Sequence, residues 1–243
     1  MLARYFSPCL DWEDSFSVYV CSLSPLYVDY DAVFFCADLT RPTKEMVNRS
    51  LPKLRELREN HRSERLSEIQ AQDNDNLPPF LAVIEKKFPD SKLSQDFDRL
   101  LVTPAWNDLN FIITSMKAHY NFARPYQYDA QLDPVFRPGH PSFPSGHSTQ
   151  AHVIAALVKL LITDKTTARA VDKIAKNIAL NREIAGVHYA FDSKAGKQVA
   201  KCFVARFVEH PIIKGKLTEL KKLLSAAKQS QTAPNKKKPS IKK

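Results

Sequence analysis

Glycine is scarce in this chain, with five in 243 residues and none before position 139. The Asn-Gly and Asp-Gly pairs that mark hairpins are missing with it, and no stretch alternates apolar and polar residues in the two-residue rhythm of a half-buried strand. A β-sheet fold is therefore not expected. No run of eighteen apolar residues occurs. The best candidate, HVIAALVKLLI at 152–162, is short and carries Lys159, which argues against a membrane-spanning helix. No CxxC pair links the four cysteines Cys9, Cys21, Cys36 and Cys202, so a finger-type zinc site is not expected. Buried free thiols are the default reading for them, although the three near the N-terminus could pair in an oxidising compartment. The first twenty residues carry Asp11, Glu13 and Asp14 where a secretory signal needs an apolar core, so no signal peptide is read there.

A hydrophobic content of 44% supports a real core. The net charge of +10 is partly local, because six lysines and no acid lie between Ala226 and the end, leaving about +4 elsewhere. The last segment, 226–243, reads as a disordered basic tail. No aromatic residue interleaves its lysines, so nucleic acid is not an expected partner. Residues 1–40 are rich in aromatics but show no regular pattern. Between them, 41–225 reads as one all-α domain, a single helical bundle. A polar helical stretch runs from Thr43 to about Gln72, with Pro52 expected to split or start a helix. Residues 81–87 form a short helix, and further helices are broken near Pro104. Residues 121–144 form a proline-dense loop. Helices follow at about 147–163, 166–185, 193–209 and 211–227.

Three stretches carry chemistry. In HPSFPSGHSTQ, 140–150, Ser145 or Ser148 can cap the helix that follows, which places Gly146 and His147 at a helix N-terminus. Free N–H groups and the positive dipole end favour an anion there, and Gly146 lets backbone approach a ligand closely. In KAHYNFARP, Lys117 and Arg124 are seven residues apart, a spacing that puts both on one helix face, with Pro125 ending the helix at Arg124. In NREIAGVHYAFD, Arg182 closes a helical run, Gly186 turns the chain, and Asp192 can accept a hydrogen bond from His188. Such a bond fixes the imidazole tautomer and sharpens its other nitrogen as a nucleophile. Taken singly, each stretch has a plain structural reading: a capped helix, a solvated basic face, a structural His–Asp pair. Together they supply three cations, an anion-binding helix start and two histidines, the set that phosphoryl transfer requires.

Those ten positions, Lys117, Arg124, Pro125, Pro144, Ser145, Gly146, His147, Arg182, His188 and Asp192, resemble the three-part signature of the type 2 phosphatidic acid phosphatase superfamily. That superfamily includes class A bacterial acid phosphatases, membrane lipid phosphatases and vanadium haloperoxidases. The resemblance covers about 117–192, and the surrounding helices look similar to the soluble class A type. It implies a metal-independent acid phosphatase that hydrolyses small phosphomonoesters through a phosphohistidine. His188 would be the nucleophile, Asp192 its orienting carboxylate and His147 the acid and base. Lys117, Arg124, Arg182, Ser145 and Gly146 would bind phosphate. No cofactor is expected; vanadate would inhibit, or would be the cofactor if the chain were a haloperoxidase. A lipid phosphate substrate is a further alternative. The resemblance suggests a periplasmic location. Asn181 departs from the pattern, standing where the family usually has serine.

Overall fold

The computed structural model describes residues 24–232 apart from Asp90. Among them the protein is all-α. Helix α1 spans Tyr30–Ala37, α2 Lys44–Asn74, α3 Pro78–Lys87 and α4 Leu93–Phe97, and a π-helical turn, Asp98–Val102, leads into α5, Thr103–Tyr120. After the short helix α6, Pro125–Tyr128, and a 3-10 turn, Ala130–Leu132, come α7, Gly146–Leu161, α8, Lys165–Ile184, α9, Ala190–Phe207, and α10, Pro211–Thr232.

The centre of the bundle is α7, packed between α8 and α9. Its sequence explains the position. Val153, Ile154, Leu157, Val158 and Leu161 recur at helical spacing and are all buried. They meet Val171, Ala175 and Ile178 of α8 and Val199, Phe203 and Phe207 of α9 in one continuous core. Each fully buried Leu, Ile or Phe contributes about 1.5–3 kcal/mol. The long helix α2 lies against α8, which brings its C-terminal turns, residues 69–73, beside Arg182.

Several sequence expectations change. Pro52 sits inside α2 without splitting it. The carbonyl that loses its donor belongs to Asn48, which is exposed, so water can satisfy it. Near Pro104 the chain stays helical, because the π turn feeds directly into α5 and the proline occupies its first turn. The loop 121–144 contains two short helical pieces. Part of the N-terminal segment is ordered as α1, capped by Asp29, and three backbone amides, those of Leu26, Tyr27 and Val28, converge on the buried carboxylate of Asp108. Cys36 and Cys202 are not free thiols but a disulfide joining α1 to α9. Cys9 and Cys21 lie outside the described residues. Helix α10 continues to Thr232, so residues 226–232 of the expected tail are helical, and the remainder of that tail lies outside the described residues.

Two glycines shape the path toward the site. Gly186 has φ +77° at the end of α8. Its N–H bonds to the Glu183 carbonyl and the Val187 N–H to that of Arg182, a pair of bonds that ends the helix and turns the chain toward His188. Gly196 lets α9 approach the start of α7. A Cβ there would lie 2.6 Å from the Ser145 carbonyl oxygen and 2.9 Å from Thr149 Oγ1. The same junction is tied by Ser145 N–H to the Asp192 carbonyl (3.2 Å) and Ser148 Oγ to the Ser193 carbonyl (2.7 Å). Substituting Gly196→Ala should therefore force the two helices apart and destabilise the fold by about 1–3 kcal/mol. Urea unfolding should show a lower midpoint at unchanged slope; an unshifted midpoint would contradict this packing.

Candidate active site

The three sequence stretches converge on one cavity of about 450 Å³. Lys117, Arg124, Gly146, His147, Arg182 and His188 all line it. Ser145 and Asp192 stand behind this wall, fully buried.

Lys117 and Arg124 arrive by a route other than the expected one. Helix α5 ends at Tyr120, and Asn121, with φ +43°, reverses the chain. Arg124 then precedes α6 as its N-cap residue. The two cations share the cavity through this turn and not through a common helix face. Both are almost completely buried, and neither has a carboxylate within ion-pair distance among the described residues; backbone carbonyls take that place. Lys117 Nζ donates to the carbonyls of Pro141 (2.6 Å) and Ser142 (2.9 Å). Arg124 donates to His140 O (2.9 Å) through Nε, to Val187 O (2.7 Å) through one terminal nitrogen and to Pro141 O (3.4 Å) through the other. Burial, with Arg124 adjacent, holds the Lys117 ammonium well below the usual lysine range. Burial lowers Arg124 to about 10.

Arg182, in the last turn of α8, donates to Ile69 O (2.6 Å) and to Asp73 Oδ1 (3.2 Å), both from α2. Its guanidinium lies over the Phe136 ring, 5.0 Å from the centroid. Its Nε is buried and has no hydrogen-bond partner among the described residues, an available donor in the cavity wall. Burial lowers it to about 10, with Asp73 opposing the shift. Asn181 also turns toward α2, donating to Gln72 Oε1 at 2.7 Å. That bond supplies local support where the sequence pattern departs from serine.

His188 is fixed by its neighbours. Its Nδ1 lies 2.9 Å from Asp192 Oδ2, and that oxygen also accepts from Ser142 Oγ (2.5 Å) and the Tyr189 N–H (3.1 Å). On the other side, an Arg124 terminal nitrogen lies 3.5 Å from His188 Nε2. A guanidinium only donates, so Nε2 carries the lone pair and Nδ1 the proton directed at Asp192. Burial, then Arg124 and Lys117, holds the imidazole well below the usual histidine range, so it is neutral. Burial also raises Asp192 to about 6 against the pull of Ser142 and the Tyr189 amide.

At the start of α7, Ser145 is the cap, its Oγ accepting from the Ser148 N–H at 3.3 Å. The Phe143–Pro144 peptide before it is cis. A Cβ on Gly146 would meet only Ile113, at an ordinary 3.6 Å, so the protein's own packing does not demand glycine. The space over it belongs to the cavity. His147 Nε2 lies 3.3 Å from the Asp73 carbonyl oxygen, which makes Nε2 the donor and leaves Nδ1 as the second ring nitrogen. Burial, with Arg182 adding, lowers His147 to about 3. The side chain keeps 26% exposure through the cavity, and water there moderates that depression.

The sequence reading missed four contributors. Ser142 supports both Asp192 and Lys117. Asp73 holds Arg182 and touches His147, and Ile69 supplies a carbonyl to Arg182. His140 sits 3.2 Å from Arg124 through Nδ1. Ser142 lay inside the singled-out stretch and was open to notice. Ile69 and Asp73 lie in a polar helix far upstream, with no motif around them.

No curated protein matches the chain. The family model described as PAP2 superfamily matches residues 108–209, which supports placement in the type 2 phosphatidic acid phosphatase superfamily. The match runs from α5 through α9 and leaves out the α2 residues that complete the Arg182 wall. No helix among the described residues is long and apolar enough to cross a membrane, and no group of three or more His, Cys, Asp or Glu side chains among them could hold a metal ion.

An anion in this cavity would reverse the pressure on His147 and Lys117, raising both pKa values. Binding should then take up protons, and affinity should rise as pH falls from 8 toward 4. The His147 contribution should be complete only near its free value of about 3. Sulfate isolates the effect because its own charge is constant over that range. Calorimetry in buffers of differing ionisation enthalpy should register uptake on the order of one proton, reduced in His147→Gln. Sulfate binding without proton uptake would contradict these electrostatics.

Proposed function

We propose that the protein is a metal-independent phosphatase that hydrolyses phosphomonoesters through a phosphohistidine on His188. The family match to the PAP2 superfamily supports phosphatase chemistry. The observation that carries the finer reading is the fixed tautomer of His188: a neutral imidazole whose Nε2 lone pair faces a cavity walled by three buried cations.

The steps follow from that geometry. The dianionic phosphoryl group enters between Lys117, Arg124 and Arg182. Arg124 commits most of its donors to carbonyls, so it contributes charge, while the free Nε of Arg182 and the third N–H of Lys117 supply hydrogen bonds. The α7 N-terminus at Gly146 adds amide donors without intrahelical acceptors. As the anion arrives, His147 gains a proton. His188 Nε2 then attacks phosphorus. The N–P bond forms, the P–O ester bond breaks, and its electron pair leaves on the ester oxygen, which takes the proton from His147 Nδ1. Asp192 stabilises the positive imidazole. In the second step His147, now neutral, accepts a proton from water as the water oxygen bonds to phosphorus. The N–P bond breaks, the pair returns to Nε2, and inorganic phosphate is released.

Three cations already offset the charge that a metal ion would neutralise elsewhere. The likeness of the surrounding helices to the class A acid phosphatases makes that branch our assignment, with small phosphorylated molecules as substrates. Hydrolysis of p-nitrophenyl phosphate should survive a chelator and should fall at least roughly a thousandfold in a folded His188→Ala variant. Vanadate, which mimics the five-coordinate transition state, should inhibit competitively. Loss of activity on chelation would sink the metal-independent mechanism. A folded His188→Ala enzyme at full activity would sink the assignment of nucleophile.

A further inference from the structure

The cavity is larger than one phosphoryl group needs. At about 450 Å³ it falls in the range of sites that hold a whole small molecule. The wall beyond the three buried cations therefore meets the leaving group, and its chemistry is readable.

One part is a chain of amides. Asn76 Nδ2 donates to Gln150 Oε1 (3.2 Å), and Gln150 Nε2 donates to Asn110 Oδ1 (3.2 Å). These groups suit hydroxyls or ester oxygens and select no charge. The other part is the loop 135–142. Its ends are pinned by Val135 N–H to the Ala185 carbonyl (3.0 Å) and Ser142 N–H to the Phe122 carbonyl (2.8 Å). Just upstream, Arg62 grips the carbonyls of Leu132 and Asp133. Pro134 and Pro138 stiffen the backbone further. This loop places Phe136 under the Arg182 guanidinium and Arg137 on the cavity wall.

Arg137 differs from the other cations of the site. It is exposed where they are buried. It has no carboxylate within ion-pair distance among the described residues. Its guanidinium is parked over the Tyr126 ring, 5.1 Å from the centroid, which holds it in position and leaves its edge donors without a partner among the described residues. Tyr126 itself follows Arg124 by two residues. A fourth cation, oriented and without an ion-pair partner among the described residues, thus stands on the wall of the same cavity.

The geometry points to Arg137 as a specificity-determining residue that recognises a second anionic group on the leaving portion of the substrate. This rests on the phosphatase reading above and deepens it. The preferred substrates are phosphomonoesters whose alcohol carries another phosphate, so that Lys117, Arg124 and Arg182 hold the transferred group and Arg137 holds the one that leaves. Arg137 takes no part in bond making. It raises kcat/KM for doubly charged substrates by pairing with charge remote from phosphorus.

The test uses propanediol monophosphate and propanediol bisphosphate, which share one carbon frame and differ by the second phosphate. The wild-type enzyme should favour the bisphosphate, and the preference should shrink as ionic strength rises. In Arg137→Gln the ratio of the two kcat/KM values should fall about tenfold, as loss of a charge-assisted bond predicts. Arg137→Lys should keep part of the preference, because it retains charge but not the planar stacked fork. If both substrates turn over and the ratio is the same in wild type and Arg137→Gln, the role of Arg137 is overturned while the phosphatase reading stands. If the wild type hydrolyses neither but does hydrolyse p-nitrophenyl phosphate, the inference is overturned while the phosphatase reading stands; if it hydrolyses none of the three, the phosphatase reading fails and this inference falls with it.

Discussion

Buried positive charge held by backbone carbonyls is the constraint around which this molecule is arranged. An unpaired buried ion costs several kcal/mol, yet Lys117, Arg124 and Arg182 are each at most 1% exposed. Among the described residues only Arg182 has a carboxylate within ion-pair distance, Asp73 at 3.2 Å. The other two are satisfied by the carbonyls of His140, Pro141, Ser142 and Val187. Carbonyl dipoles solvate a cation without cancelling its charge, so the cavity keeps a strong positive potential for an incoming anion. The same bonds fold the loop: the segment 140–142 and residue 187 are drawn together because Lys117 and Arg124 sit between them.

From this follows the state of the two histidines. Burial and positive surroundings keep His188 neutral, as the proposed mechanism requires of its nucleophile, and keep His147 neutral until an anion compensates. In the proposed mechanism His147 is therefore switched on by the ligand it serves. In the same mechanism Asp192 resolves what would otherwise be a contradiction for His188, since the imidazole that must be neutral before attack must also tolerate positive charge after it. Its carboxylate is held by Ser142 and the Tyr189 amide, so it does not swing away when His188 changes charge.

Much of this was legible in the sequence because the chemistry sits in short segments. Ser145 through His147, Arg182, and His188 with Asp192 lie where helix caps, a glycine break and a four-residue spacing put them. The scarcity of glycine and the absence of strand rhythm gave the all-α class. What escaped was of two kinds. Lys117 and Arg124 suggested a shared helix face, but the spacing gave no warning that Asn121 would take a left-handed turn. Asp73, Ile69 and Gln72 could not be assigned because they come from a polar helix more than a hundred residues before Arg182; only tertiary packing of α2 on α8 joins them. The Cys36–Cys202 bridge escaped for the same reason, since a separation of 166 residues leaves no local trace. Arg137 belongs to no sequence motif, and only the fold stacks it on Tyr126 and sets it on the cavity wall.

The central claim is that His188 Nε2 carries the phosphoryl group during turnover. Mixing enzyme with excess substrate, quenching in alkali to preserve the acid-labile N–P bond, and mapping peptides by mass spectrometry tests it directly. The account predicts one phosphoryl group on the peptide containing His188, located on its imidazole, and gone once substrate is exhausted. Turnover without any protein-bound phosphate, or with phosphate on a different side chain, would contradict it.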